Sequence, residues 1–145
     1  MFCKKILLAY DGTEGADHAL AKVLALAKQN RELSVHILYV NQPPQAMMGV
    51  ADAYIVNPDL EVKLDEDVER KLNEAKKKLS ELVECTMDVV IHETPARKIV
   101  EEAETLQCDL IVIGSRGLAG LKKLILGSVS SYVVNHADMP VLVVK

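Results

Sequence analysis

The chain has 145 residues; half are hydrophobic, 3 % are aromatic, and there is no tryptophan. That length suits a single domain, 1–145, with a core built from Val, Ile, Leu and Ala rather than aromatic rings. A formal net charge of −4 excludes the basic footprint of a nucleic-acid binder or of a protein held at an anionic membrane, and no apolar run reaches the length of a membrane span.

Cys3, Cys85 and Cys108 are odd in number and lack C-x-x-C spacing, so they read as reduced, structural thiols. Met1–Lys5 leads directly into a strand-like run and does not resemble a secretory leader, so the expected location is the cytoplasm.

In chain order, Ile6–Ala9 is a short continuous apolar run, as expected of a strand buried on both faces. It stops at Tyr10-Asp11-Gly12-Thr13. Thr13 is a good N-cap, with Glu14 in the first turn where the helix dipole favours an acid. Ala16, Ala19, Leu20, Val23, Leu24 and Ala27 then follow helical spacing, and Val35–Val40 is the second strand. Asn41 to Leu60 is irregular, with Pro43, Pro44, Gly49 and Pro58, and reads equally as a plain connection or a lid over a ligand. Leu64, Val68, Leu72, Ala75, Leu79, Leu82 and Val83 mark a strongly amphipathic helix, and Lys76-Lys77-Lys78 is its solvated face.

Met87–Ile91 is the third strand. Thr94-Pro95 supplies an N-cap with proline at the first helical position, and Ala96, Ile99, Val100 and Ala103 form the buried stripe of the next helix. Leu110–Ile113 is the fourth strand. A glycine-rich loop, a helix from Ser128 to about Asn135, a turn at Asp138-Met139-Pro140 and a fifth strand, Val141–Val144, complete the chain. Alternating strands and helices, with strands apolar throughout, predict an α/β fold: a doubly wound, five-stranded parallel sheet with helices on both faces.

The glycine-rich stretch from Gly114 to Ser130 carries the chemistry. It runs from a strand through a loop into a helix N-terminus, and such an N-terminus presents unpaired N–H groups and the positive end of the dipole to an anion. Ser128 and Ser130 add hydroxyls, and Arg116 adds charge. The same glycines can equally be turn residues, with Gly127-Ser128 a plain helix cap. In a doubly wound sheet, ligands sit beyond the carboxyl ends of the strands where strand order reverses. If strands one and four are neighbours, Asp11 and the glycine loop share that crevice. Asp11 would then accept from a ribose hydroxyl or base amine, or help hold a divalent cation; otherwise it is a turn residue facing solvent.

Other chemistries fail on spacing. The chain has no G-x-x-x-x-G-K-[ST] and no G-x-G-x-x-G after its first strand, and it lacks a G-x-S-x-G elbow. His18, His36, His92 and His136 are scattered without metal-ligand spacing and are expected at the surface or satisfied in the core.

The pattern Gly114-x2-Gly117-x9-Gly127-Ser128 resembles the nucleotide signature of the ATP-binding branch of the universal stress protein family. Ile6–Glu14, Asp109–Gly114 and Pro140–Val144 are similar to that family's first strand and turn and its fourth and fifth strands, so the resemblance spans essentially the whole chain. It implies the strand order 3-2-1-4-5 and an adenine nucleotide, ATP or ADP/AMP, carrying Mg²⁺ or Mn²⁺. Asp11 would contact the adenosine, and the backbone at Ala9 and Val40 would flank the adenine. Gly114, Ser115, Arg116 and Gly117 would wrap the phosphates. Gly127, Ser128, Val129 and Ser130 would donate from the helix N-terminus, with Ser128 or Asp11 near the nucleotide-bound metal. It also implies a homodimer through Val141–Val144, an apolar edge that needs covering. The chain departs from the family at Ala9, often proline, and at Glu93, where glycine is common two residues before the proline.

Three functions follow as expectations. The first is a regulatory ATP-binding protein in stress adaptation, with at most slow hydrolysis, because no general base or nucleophile stands beside the phosphates. The second is a Mg²⁺-dependent ATPase or phosphotransferase using Ser128, Ser130 and Lys122 or Lys123. The third is a dimerising interaction module without ligand, which predicts a filled crevice.

Overall fold

The computed structural model describes residues 3–43, 64–115 and 126–145. Its elements in chain order are β1 (Lys5–Ala9), α1 (Glu14–Gln29), β2 (Ser34–Asn41), α2 (Glu66–Ser80), β3 (Glu84–Ile91), α3 (Pro95–Thr105), β4 (Leu110–Gly114), α4 (Ser128–His136) and β5 (Val141–Val144). The five strands form one sheet in the order β3-β2-β1-β4-β5, with every neighbouring pair parallel. This is the expected doubly wound sheet.

The central strands are apolar throughout because both of their faces are covered. Ile6, Leu8, Val35, Ile37 and Val112 face one way, into a core completed by Ala19, Val23 and Ala27 of α1 and Leu72, Ala75 and Leu79 of α2. Leu7, Ala9, Leu38, Ile111 and Ile113 face the other way, against Ala96, Ile99, Val100 and Ala103 of α3 and Val133 of α4. Most positions of the helical stripes read from sequence are buried, but Leu24, Leu64, Val68 and Leu82 are only partly so, and Leu64, Leu82 and Val83 lie outside α2.

One boundary and one cap also differ from expectation. β3 begins at Glu84, three residues before the apolar run, and its exposure alternates. It is an edge strand in which Cys85, Met87 and Val89 are half-buried against one core while Glu84, Thr86 and Asp88 are exposed, and apolar runs under-read such strands. Thr94 does stand at the N-cap of α3, ahead of Pro95, but its side chain makes no capping hydrogen bond. The Thr94 N–H instead donates to His92 Nδ1 at 2.9 Å. That bond closes the turn at Glu93.

The strand order places the switch point between β1 and β4. The chain leaves β1 toward β2 on one side and returns after β3 to β4 on the other. The carboxyl ends of β1 and β4 therefore splay from a common crevice, with the N-termini of α1 and α4 at its mouth.

Candidate nucleotide site

A cavity of about 600 Å³ occupies that crevice, within the range of small-molecule sites. Of the residues expected at a ligand, Ala9, Asp11, Val40, Gly114, Gly127, Ser128, Val129 and Ser130 line it. Ser115 does not; its N–H donates to the Val144 carbonyl at 2.8 Å, which fixes the start of the loop to β5. Arg116, Gly117, Lys122, Lys123 and the Pro44–Leu60 part of the irregular segment lie outside the described residues.

The first wall is the turn after β1. Gly12 has φ of +80°, a conformation that suits glycine, and Lys71 Nζ of α2 donates to its carbonyl at 2.9 Å. Asp11 Oδ1 accepts from the Thr13 N–H at 3.0 Å and from Thr13 Oγ1 at 2.5 Å. Thr13 Oγ1 in turn accepts from the Ala16 N–H at 3.3 Å as the cap of α1. Asp11 is thus both a turn-forming residue and an exposed carboxylate on the cavity wall. Below it, Tyr10 is 2 % exposed and its hydroxyl donates to Asp17 Oδ1 at 2.5 Å. Burial first, then that bond and the surrounding carboxylates, hold the Tyr10 phenol far above its usual range. Burial, followed by the charges of Asp11 and Asp65, likewise raises Tyr39.

The opposite wall is the start of α4. Gly127 is its N-cap, no side chain caps the helix, and no acidic residue stands in its first turn. The first intrahelical bond runs from Ser131 N–H to the Gly127 carbonyl, so the Ser128, Val129 and Ser130 amides have no acceptor within the helix. The Gly127 N–H is already engaged, donating to the Ser115 carbonyl at 2.8 Å. The Ser130 hydroxyl is 3.1 Å from both the Ser115 and Gly127 carbonyls, so it ties the loop ends together. Of the two serine side chains, that of Ser128 is the one without such a tie.

Gly114 has a different local reason from the one its motif suggests. A Cβ there would lie 2.6 Å from the Gly15 carbonyl carbon and 2.7 Å from its oxygen. The glycine lets α1 pack directly on the end of β4.

Leu38, Val40, Pro95, Ile99, Ile113 and Val129 form an apolar floor and sides, suited to a flat heterocycle. Pro95 and Ile99 were read as helix start and core stripe; nothing in their local pattern signals a cavity, because α3 reaches it only through the strand order. Asp11 is the one formally charged side chain lining the cavity among the described residues. The donors available to an anion there are the backbone amides at the start of α4 and the Ser128 hydroxyl, since the Thr13 hydroxyl already donates to Asp11. Mg²⁺ or Mn²⁺ wants oxygen ligands shared with phosphate and water, and Asp11 and Ser128 supply that donor type on the same cavity.

The universal stress protein family model matches residues 3–145. The chain is 31 % identical to universal stress protein MJ0577 of Methanocaldococcus jannaschii, over 98 % of this chain and 94 % of that protein. The solved structure of MJ0577 superposes with a TM-score of 0.80, at 32 % identity, covering 100 % of this chain and 97 % of the other. Two more distant structures, each 20 % identical and alike in fold, were solved with nucleotides. A universal stress protein in complex with cAMP has a TM-score of 0.67, covering 100 % of this chain and 98 % of its own. The universal stress protein from Archaeoglobus fulgidus in complex with dAMP has a TM-score of 0.65, with both chains covered at 100 %. Matched from residue 3 to its last residue, the chain belongs to the universal stress protein family.

Proposed function

We propose that this chain is a regulatory adenine-nucleotide-binding protein, with ATP as its ligand, acting in stress adaptation in the cytoplasm as a homodimer. The observation that carries the reading is the pairing, across one open cavity, of an uncapped helix N-terminus with an apolar slot at the sheet switch point. The Ser128, Val129 and Ser130 amides would hold phosphate, aided by Arg116 and Gly117. The backbone at Ala9 and Val40 would flank adenine, and Asp11 would accept from the ribose. Relatives crystallised with cAMP and dAMP support the ligand class. A divalent cation, when bound, would neutralise phosphate charge, with Asp11 or Ser128 as its protein ligand.

Asp11 is a weak candidate for a general base, since its Oδ1 is already engaged by Thr13. Hydrolysis is therefore expected to be slow. The open crevice also disfavours the ligand-free interaction module, which calls for a filled one. The proposed dimer uses β5, an edge strand with Leu142 39 % exposed.

The test is to denature purified protein, identify any released nucleotide by chromatography and mass spectrometry, and then measure melting with added Mg-ATP. ATP or ADP in the extract, or a melting temperature that rises with Mg-ATP concentration, is the expected result. No released nucleotide together with no shift overturns the assignment.

A further inference from the structure

His36 lies on β2 two residues before Leu38 of the cavity wall, with its side chain 5 % exposed. It shares a sheet face with Leu38, and the register sets Thr86 opposite it and Asp88 two residues further along β3 on that face. Glu102 approaches from α3 above. His36 Nδ1 is 2.7 Å from Thr86 Oγ1. Nε2 is buried and has no hydrogen-bond partner; Asp88 Oδ2, at 3.4 Å, is a contact and not a hydrogen bond. One ligating atom from each of His36, Asp88 and Glu102 lies within 4.8 Å of the other two.

A buried ring nitrogen left unpaired destabilises a fold and calls for an explanation. From this convergence we infer that His36 Nε2, Asp88 and Glu102 form a binding site for a first-row divalent cation of the zinc class. One imidazole nitrogen with two carboxylates suits Zn²⁺ or Co²⁺ better than Mg²⁺ or Ca²⁺, which favour oxygen alone. Thr86 plays the outer role: Nδ1–H donating to its hydroxyl leaves the Nε2 lone pair facing the carboxylates, as in metal-ligating histidines. Two carboxylates balance the charge of the cation. The Asp88 side chain is 56 % exposed, which gives it room to close on the cation and leaves a path for entry and a bound water.

The competing charges are Lys98, whose Nζ is 3.3 Å from Glu102 Oε2, and Lys5 of β1. Burial pushes the imidazole down, against the upward pull of Asp88 and Glu102. A bound cation would join β2, β3 and α3. It would brace the helix that carries Pro95 and Ile99 into the cavity wall, whether or not nucleotide is present.

The experiment is calorimetric titration of ZnCl₂ into the chelator-stripped full chain without nucleotide, with Co²⁺ absorption as a second readout of coordination. One Zn²⁺ per chain is expected, with affinity lowered at least tenfold in both Asp88→Asn and Glu102→Gln, and abolished in His36→Gln. Because His36 is buried, the two carboxylate variants decide the matter if His36→Gln does not fold. No binding to the wild-type chain, or a smaller loss in either carboxylate variant, overturns the site and assigns any residual zinc to His18, His92 or His136.

Discussion

Gly114 meets two demands. Its backbone forms the rim of the cavity, and its missing side chain leaves space for the carbonyl of Gly15 on α1. A methyl group there collides with backbone, which cannot rotate away. Gly114→Ala should therefore lower stability by about 2–3 kcal/mol, read as a shifted midpoint in urea denaturation. The motif marked this glycine as an anion contact; its packing role depends on α1 folding back beside β4, which no local spacing reveals. Tyr10 was read only as part of a turn, yet it is buried and bonded to Asp17. Tyr10→Phe should cost about 1 kcal/mol near neutral pH. The same bond has a pH consequence. The folded-state pKa of Tyr10 is raised, so its contribution is fully present below the unfolded value of about 10 and is lost as pH rises beyond it. Wild-type stability should fall more steeply than that of Tyr10→Phe between pH 9 and pH 11, values chosen to bracket roughly that unfolded pKa. Equal slopes in denaturant melts would remove Tyr10 as the cause.

Among the elements, α4 is built differently from α1. The first turn of α1 carries Glu14 and Asp17, with Thr13 as side-chain cap, so its N-terminal amides and dipole are already served. α4 has neither an acid in its first turn nor a side-chain cap, and its first residues line the cavity. Placing an acid there separates stability from binding. Ser128→Asp should stabilise the folded chain by about 0.3–1 kcal/mol through the helix dipole. It should also weaken ATP binding by about tenfold or more through charge repulsion with phosphate. Thermal melts without ligand and a titration with Mg-ATP give the two numbers; unchanged affinity would remove α4 from the phosphate site. The strands show how far element reading goes. β1 and β4 were legible as apolar runs because both faces are buried. β3 lost its first three residues because Glu84 and Thr86 are exposed polar positions that interrupt the apolar run.

For the whole molecule, the order β3-β2-β1-β4-β5 leaves β3 and β5 as edges. The β5 edge carries exposed Leu142. A lysine on an edge strand opposes pairing with another chain. Leu142→Lys is therefore expected to shift the proposed dimer to a monomer in analytical ultracentrifugation, with little change in the melting of the monomer. A wild-type chain that sediments as a monomer removes the dimer outright.

Local signals carried the elements. Apolar runs, helical stripes, the Thr13 cap and the Gly127-Ser128 helix start depend on neighbours a few residues apart, and those were readable in the chain itself. The strand order came from family resemblance, not from periodicity, since no periodic pattern says which strands pair. Tertiary structure decided the rest: that Leu38, Pro95 and Ile99 share a cavity with Asp11, that the Ser130 hydroxyl ties a loop, and that His36 meets Asp88 and Glu102. The physical reason is sequence separation. Asp11 meets Leu38, Pro95 and Ile99, and His36 meets Asp88 and Glu102, only after crossovers between strands, and no short-range pattern encodes their approach.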